Sequence, residues 1–138
     1  MAVNPESIPQ IDLPMAWAML SEHPGAVLVD VRTQAEWNFV GMPDLRSIDK
    51  QVRFVEWLSF PAGDVNDAFV EQAGNGLDKD TPILLLCRSG ARSQAAAVAL
   101  TEAGFTQAVN VAPGFEGDLD GESHRHGGWK DELPWVQR

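Results

Sequence analysis

The chain has 138 residues, 44% of them hydrophobic and 22% charged, which fits one globular domain over residues 1–138. Its 20 acidic and 10 basic residues give a formal net charge of −10, which argues against binding to nucleic acid or to anionic membranes. A single cysteine excludes an internal disulfide, and no apolar run approaches the ~20 residues of a membrane span. With a lone thiol and no recognisable secretory signal, we expect a cytoplasmic protein.

The first third of the chain predicts a helix, a buried strand and a second short helix. Residues 13–20 place their apolar side chains on one helical face. The apolar run 26–29, followed by the polar Asp30, is typical of a parallel strand buried on both faces. Residues 34–39 predict a short helical turn, and residues 40–44 predict a loop.

The middle of the chain carries weaker signals. In residues 47–60 some apolar side chains alternate as in a strand, while others fit either face. Residues 66–73 predict a helix. The glycines of residues 74–76 end it in a turn, and residues 78–80 predict a second turn.

The second half contains the clearest elements. The run 83–86, Ile-Leu-Leu-Leu, predicts a central parallel strand, and residues 108–111 predict a final strand. The alanine-rich residues 94–103 predict a helix that lies close to the sheet. Because strands and helices alternate, the predicted fold class is α/β, with a central parallel sheet flanked by helices on both faces. Its core covers about residues 10–115.

The C-terminal segment, residues 116–138, is rich in glycine and polar side chains. This composition predicts an irregular extension. Trp129 and Trp135 offer large apolar surfaces, so we expect them to anchor the extension on the domain.

The chemistry of the sequence centres on Cys87, which follows the predicted strand 83–86 and precedes the alanine-rich helix. Ligand sites in open α/β sheets gather at such strand ends. Gly90 permits positive φ in the short loop, so the loop amides can converge on one anion. The helix N-terminus, Arg88 and Arg92 add positive charge, and all of these favour the reactive thiolate. The alternative, a buried structural cysteine, needs no neighbouring cations.

Loop length separates two kinds of cysteine chemistry. Four residues lie between Cys87 and Arg92, one fewer than in cysteine phosphatases. A tetrahedral phosphate needs a wider cradle than a single sulfur atom does. The short loop therefore favours a persulfide, and a phosphatase or arsenate reductase stays as an alternative.

Residues 87–93, Cys-Arg-Ser-Gly-Ala-Arg-Ser, resemble the active-site loop of single-domain sulfurtransferases of the rhodanese family. Upstream, residues 28–32 (Leu-Val-Asp-Val-Arg) and 36–37 (Glu-Trp) resemble the Asp-Val-Arg…Glu-aromatic segment of that family. The resemblance covers about residues 10–115. Residues 41–45, Gly-Met-Pro-Asp-Leu, depart from it because the usual histidine is absent, which bears on loop geometry more than on catalysis.

The resemblance implies a rhodanese-like fold and a two-step sulfur transfer without a cofactor. The Cys87 thiolate takes a sulfane sulfur from thiosulfate or a related donor, and a thiol, cyanide or a protein acceptor removes it from the persulfide. The loop would hold the substrate, although Arg92 has the alternative of facing solvent or pairing with an acid. A second hypothesis is a persulfide carrier or sensor that binds a protein partner without turnover. The implied substrate-binding residues are Arg88, Ser89, Gly90, Ala91, Arg92 and Ser93.

Three charged residues near the first strand are predicted to support the site through structure. Asp30 can accept backbone N–H bonds, and Arg32 can pair with Glu36 across a turn, since buried charge must be paired. His124 and His126 form a His-x-His pair, but two further ligands are missing, so no metal site is expected.

Overall fold

The computed structural model describes residues 2–59 and 62–137. Strands and helices alternate along the described residues, with short 3₁₀ turns at Pro5–Ser7 and Arg46–Ile48. None of these described helices is long and apolar enough to cross a membrane. The helices are α1 (Leu13–Glu22), α2 (Gln34–Phe39), α3 (Phe69–Gly74), α4 (Ala91–Glu102) and α5 (Trp129–Glu132). The strands are β1 (Gln10–Ile11), β2 (Val27–Asp30), β3 (Met42–Pro43), β4 (Arg53–Phe54), β5 (Leu58–Ser59), β6 (Asp64–Val65), β7 (Ile83–Leu86), β8 (Ala108–Val111), β9 (Gly117–Leu119), β10 (Arg125–Gly127) and β11 (Trp135–Val136).

The core is a five-stranded parallel sheet in the order β1-β8-β7-β2-β4. Its central strand, β7, consists of four apolar residues that are all buried, as expected where both faces of a sheet are covered. β2 pairs with β7 so that Asp30 lies opposite Leu86. The carboxyl ends of the two strands therefore meet at one edge, and Cys87 follows Leu86 directly at that edge.

Apolar side chains pack on both faces of the sheet. On one face α3 and α4 contribute Phe69, Ala96 and Leu100. On the other face α1 and α5 contribute Leu20 and Trp129. The small alanines of α4 let this helix lie close to β7 and β8. The predicted fold class, a central parallel sheet flanked by helices on both faces, is confirmed.

Two predicted strands, β7 and β8, have the predicted bounds. The alanine-rich helix α4 begins at Ala91, earlier than the predicted start at Gln94. Gly90 adopts a φ of 108° and its carbonyl accepts the Gln94 N–H, so the helical hydrogen bonds begin at the glycine. Arg92 and Ser93 therefore lie in the first turn of a helix.

The middle of the chain is only partly as predicted. The loop predicted over residues 40–44 contains β3, which pairs antiparallel with β11. In the segment 47–60, β4 joins the main sheet beside β2 and β5 pairs with β6, while Phe60 lies outside the described residues. The helix predicted over residues 66–73 begins later, because the Asn66 side chain accepts the backbone N–H two residues on and forms a turn.

The prediction of an irregular extension over residues 116–138 is wrong in part. β9 and β10 form an antiparallel hairpin, and α5 and β11 follow it. The two strands of the hairpin approach closely at Gly117, where a Cβ would overlap the His126 carbonyl oxygen. The predicted anchoring is confirmed for Trp129, which is fully buried with its ring edge-on to Trp17 at a centroid distance of 6.2 Å.

Trp129→Ala is expected to lower the free energy of unfolding by about 3–5 kcal/mol, because it leaves a cavity where a buried ring packed. It also removes the Nε1 hydrogen bond to the Pro134 carbonyl, 2.7 Å long. Urea denaturation followed by circular dichroism measures the loss. The control is Leu119→Ala, whose side chain is 57% exposed and should change stability by less than about 0.5 kcal/mol. Equal losses in the two variants would contradict the anchoring role.

Candidate active site

Cys87 lies in a cleft at the carboxyl edge of the sheet and is 1% exposed. Two backbone hydrogen bonds hold the chain where β7 ends. The Phe115 N–H donates to the Cys87 carbonyl at 2.7 Å, and the Glu116 N–H donates to the Arg88 carbonyl at 3.0 Å. The cleft has a volume of about 380 Å³. Its other lining residues are Glu36, Leu58, Arg88, Ser89, Ala91 and Arg92.

Two hydrogen-bonding groups contact the sulfur. The Gly90 N–H donates to Cys87 Sγ at 3.0 Å, and Ser93 Oγ lies 3.2 Å from the same atom. A glycine is required at position 90, because its φ is 108° and a Cβ would lie 2.6 Å from the Ala112 carbonyl oxygen. Both groups belong to the N-terminal end of α4, whose partial positive charge therefore lies beside the sulfur.

The two arginines of this segment differ in environment. Arg92 forms a two-point ion pair with Glu36, with Nη1–Oε1 at 2.7 Å and Nη2–Oε2 at 3.0 Å. The alternative that Arg92 pairs with an acid is thereby confirmed. Arg88 is exposed at the cleft and forms no ion pair within residues 2–59 and 62–137. Arg88 is therefore the cation available to an anionic ligand in this cleft.

Glu36 is held on both sides. It occupies the third position of α2, where its carboxylate accepts the Thr33 backbone N–H in a capping box. Burial alone would raise the pKa of Glu36, but hydrogen bonding and charge from Arg92, with the Thr33 N–H, more than offset this and lower the pKa below its ordinary value of 4.5. The hydrogen bond to Glu36 in turn raises the pKa of Arg92. The pair is charged on both sides and neutral as a whole at neutral pH.

Asp30 and Arg32 form a fully buried ion pair at the end of β2. Arg32 Nε and Nη2 donate to the Asp30 carboxylate at 3.0 and 2.8 Å, and Asp30 also accepts the Arg32 backbone N–H. Arg32 Nη2 donates to the Gly41 carbonyl, and its guanidinium lies 4.2 Å from the centre of the Phe115 ring. The predicted backbone bond of Asp30 is confirmed. The predicted pairing of Arg32 with Glu36 is wrong, because Arg32 turns inward while Glu36 points across the cleft.

Asn110, a residue of β8 that is 2% exposed, was not predicted from the sequence as part of the site. Its Oδ1 accepts from Ser93 Oγ at 2.6 Å, and its Nδ2 donates to the Gly90 carbonyl at 3.1 Å. Asn110 thus contacts both residues that meet the sulfur. A signal for it existed, because it is the single polar residue in the predicted strand 108–111 and a buried amide must find hydrogen-bond partners.

Replacing Arg92 with Met tests the ion pair through pH. Because the native pKa of Glu36 is lowered, the pair contributes stability that is present above the unfolded pKa and is lost as pH falls through the native pKa. Arg92→Met should therefore lower the free energy of unfolding by about 1–2 kcal/mol at neutral pH. The difference from wild type should vanish well below the ordinary Glu value of 4.5. Urea denaturation across this pH range measures both effects.

The matched control is Arg46→Met. Arg46 forms a similar fork with Asp44, but its side chain is 80% exposed, so the ion pair is screened by solvent. We expect no measurable change in the urea midpoint at neutral pH. A loss in Arg92→Met that persists unchanged in acid would contradict the role of the Glu36 charge.

Residues 14–119 match the family model of the rhodanese-like domain. The crystal structure of Rv0390 from M. tuberculosis is similar, with a TM-score of 0.83 and 50% identity over 92% of this chain and 97% of that one. An uncharacterized protein of Rickettsia conorii is 36% identical over 130 residues, 94% of this chain and 98% of the relative. Thiosulfate sulfurtransferase 18 of Arabidopsis thaliana is 34% identical over 111 residues, 80% of this chain and 77% of the relative. With its five-stranded parallel sheet and its match over most of its length, the chain belongs to the rhodanese-like family and has the rhodanese-like fold.

Proposed function

We propose that this protein is a sulfurtransferase that carries a sulfane sulfur as a persulfide on Cys87. The donor is thiosulfate or a related compound, and the acceptor is a thiol or cyanide. Membership of the rhodanese-like family supports a sulfur-transfer role, and the name of the Arabidopsis relative supports the donor. The observation that carries the proposal is the position of Cys87 Sγ, which receives the Gly90 N–H at 3.0 Å in a cleft beside the exposed Arg88.

The reaction proceeds in two displacement steps at sulfur. The Cys87 thiolate attacks the outer sulfur of thiosulfate, a new S–S bond forms, the old S–S bond breaks, and its electron pair leaves with sulfite. The acceptor then attacks the outer sulfur of the persulfide, and the electron pair of that bond returns to Cys87 as a thiolate. Each step is a covalent displacement that restores the charge balance, so no redox partner takes part. Sulfite leaves as an anion, which removes the need for a general acid.

Each neighbouring residue has a separate task in this reaction. Gly90 donates its N–H to the sulfur and stabilises negative charge there. Arg88 is exposed and attracts the oxygens of an anionic donor into the cleft. Arg92 contributes less to donor binding, because its guanidinium is already occupied by Glu36. Ser89 and Ala91 line the cleft and limit its size.

The dimensions of the loop favour sulfur over phosphate. The loop folds back at Gly90 so that its N–H reaches Sγ. Only four residues therefore lie between Cys87 and Arg92. A phosphoryl group on Sγ would present three oxygens that each need a donor. A persulfide presents one further atom. The same cleft therefore suits a sulfur atom better than a phosphoryl group.

Intact mass spectrometry is the direct test of Cys87. Incubation with thiosulfate should add the mass of one sulfur atom, and cyanide should then remove it as thiocyanate. Cys87→Ser should show neither change and no thiocyanate formation, because the hydroxyl is not ionised at neutral pH. The control is Ser123→Ala, which should behave as wild type because Ser123 is exposed and does not line the cleft.

Three other outcomes would redirect the proposal. Full turnover by Cys87→Ser would exclude Cys87 as the sulfur carrier. A stable added sulfur without turnover would instead identify a persulfide carrier that needs a protein acceptor. Hydrolysis of an aryl phosphate that disappears in Cys87→Ser would favour the phosphatase alternative.

Arg88→Met tests the recognition of the donor. Removing one exposed cation should raise the KM for thiosulfate about fivefold and change kcat less than about twofold, since the contact acts on binding. The difference should shrink at high ionic strength, because salt screens exposed charges. Arg46→Met is again the control, since Arg46 is exposed and lies outside this cleft. Steady-state rates of thiocyanate formation give both constants, and an unchanged KM in Arg88→Met would contradict the role of Arg88.

A further inference from the structure

Three side-chain amides, hydrogen-bonded in series, connect the N-terminal segment to Ser93, which lies beside the sulfur. Gln94 Nε2 donates to the Pro5 carbonyl at 2.7 Å, and Gln10 Nε2 donates to Gln94 Oε1 at 2.6 Å. Asn110 Nδ2 donates to Gln10 Oε1 at 2.8 Å, and Asn110 Oδ1 accepts from Ser93 Oγ at 2.6 Å. In each of the three amides, the nitrogen donates toward the N-terminal segment and the oxygen accepts from the side of Ser93.

Backbone carbonyls fix the orientation of these amides. A carbonyl oxygen only accepts, so the nitrogen of the amide must face it. Gln10 Nε2 donates to the Ile8 carbonyl at 3.2 Å, and Asn110 Nδ2 donates to the Gly90 carbonyl at 3.1 Å. Turning the Asn110 amide around would place its oxygen against two acceptors, the Gly90 carbonyl and Gln10 Oε1. The oxygen of Asn110 therefore faces Ser93.

Ser93 has one hydroxyl proton and two neighbouring acceptors, Asn110 Oδ1 at 2.6 Å and Cys87 Sγ at 3.2 Å. The Asn110 oxygen has no proton of its own and makes the shorter contact. When Cys87 is a thiol, the Ser93 hydroxyl therefore donates its hydrogen bond to Asn110 Oδ1, and the Ser93 oxygen accepts from the S–H group. When Cys87 ionises and its proton leaves to solvent, the thiolate attracts the Ser93 proton. The buried Asn110 oxygen then loses its donor, which is unfavourable.

We propose that Asn110 is a positioning residue that competes with the Cys87 thiolate for the hydrogen bond donated by the Ser93 hydroxyl. The competition makes the thiolate less stable and keeps it more nucleophilic. A thiolate is a weaker nucleophile the more acidic its parent thiol is. Once a persulfide forms, Sγ carries no charge and the Ser93 hydroxyl donates to Asn110 Oδ1 again. The inference rests on the proposed function, in which Cys87 is the nucleophile, and it identifies what sets the reactivity of that nucleophile.

Charged groups near the sulfur come from three other parts of the fold. They are unchanged when Asn110, which is uncharged, is replaced by an apolar residue. A shift in the ionisation of Cys87 in such a variant therefore reports hydrogen bonding and not a change of charge. The charged groups are Arg88 and Arg92 on the segment that follows β7, Glu36 on α2, and Asp30 and Arg32 at the end of β2.

The test is the pH profile of Cys87 alkylation by iodoacetamide in Asn110→Val. Asn110→Ala is a second variant that removes the same oxygen without a branched side chain. Without the competing Asn110 oxygen, the Ser93 hydroxyl donates its hydrogen bond to the thiolate at no cost to another group, so the midpoint of the profile should fall by about one pH unit. The plateau rate at high pH should fall about threefold, because the stabilised thiolate is less nucleophilic. The profiles of variant and wild type should therefore cross, which a general loosening of the site would not produce.

Two matched changes separate this effect from a structural one. Gln10→Leu removes a neighbour of the Asn110 nitrogen but leaves its contact with Ser93, so its profile should match wild type. In the Ser93→Ala background, Asn110→Val should no longer move the midpoint. A midpoint that does not fall, or an equal fall with and without Ser93, overturns the proposal.

A measurement on the wild-type chain covers the case in which the variants do not fold. As Cys87 ionises, the Asn110 side-chain carbonyl carbon should shift upfield in NMR spectra, because its oxygen loses a donor. A signal that stays constant through the titration overturns the proposal. Alkylation and NMR need no sulfur donor. A Cys87 that takes up no sulfur from thiosulfate or related donors would therefore disprove the proposed function while leaving the role of Asn110 separately tested.

Discussion

The in-register pairing of β2 with β7 is the constraint on which the site depends. It places Asp30 opposite Leu86, so Cys87 lies at the edge where β2 also ends. From this edge one connection leads into α2, which carries Glu36, and the other leads into α4, which carries Arg92. The two side chains meet across the cleft at 2.7 Å. A slip of one residue would reverse the faces of every β2 side chain against the core and would separate these groups.

The charges around the cysteine divide by whether a partner is present. Two ion pairs are neutral as a whole, Asp30 with Arg32 and Glu36 with Arg92. They stabilise the segments that follow the strands and add little net electrostatic potential at the sulfur. Arg88 has no such pair in the described part of the chain. In a protein of net charge −10, the coincidence of Arg88 with the N-terminus of α4 gives an anionic donor local attraction at this cleft. Under the proposed function, the paired charges support the fold and the exposed one selects the donor.

The parts of the fold that the sequence predicted are those with local signals. An unbroken apolar run marked β7, and the cysteine and glycine that follow it marked the candidate site. Which carboxylate an arginine reaches depends on packing between distant segments, and Glu36 and Arg92 are 56 positions apart. Asn110 meets Ser93 from a different strand, 17 positions away, for the same reason. The C-terminal hairpin was missed because its glycines signal flexibility in sequence but permit close backbone contact in the fold.

Under the proposed function, burial of the cysteine affects the two steps of sulfur transfer differently. Cys87 is 1% exposed, so only a small donor can bring its outer sulfur to Sγ. In the proposed persulfide the added sulfur lies beyond Sγ, in the cleft whose lining includes Leu58 and Ala91, so the reactive atom is closer to solvent than Sγ itself. Discharge returns the reactive atom to the buried Sγ, where oxidants reach it less readily. On this proposal a larger acceptor, whether a thiol or a protein, reaches the loaded state although the empty thiol is closed to it.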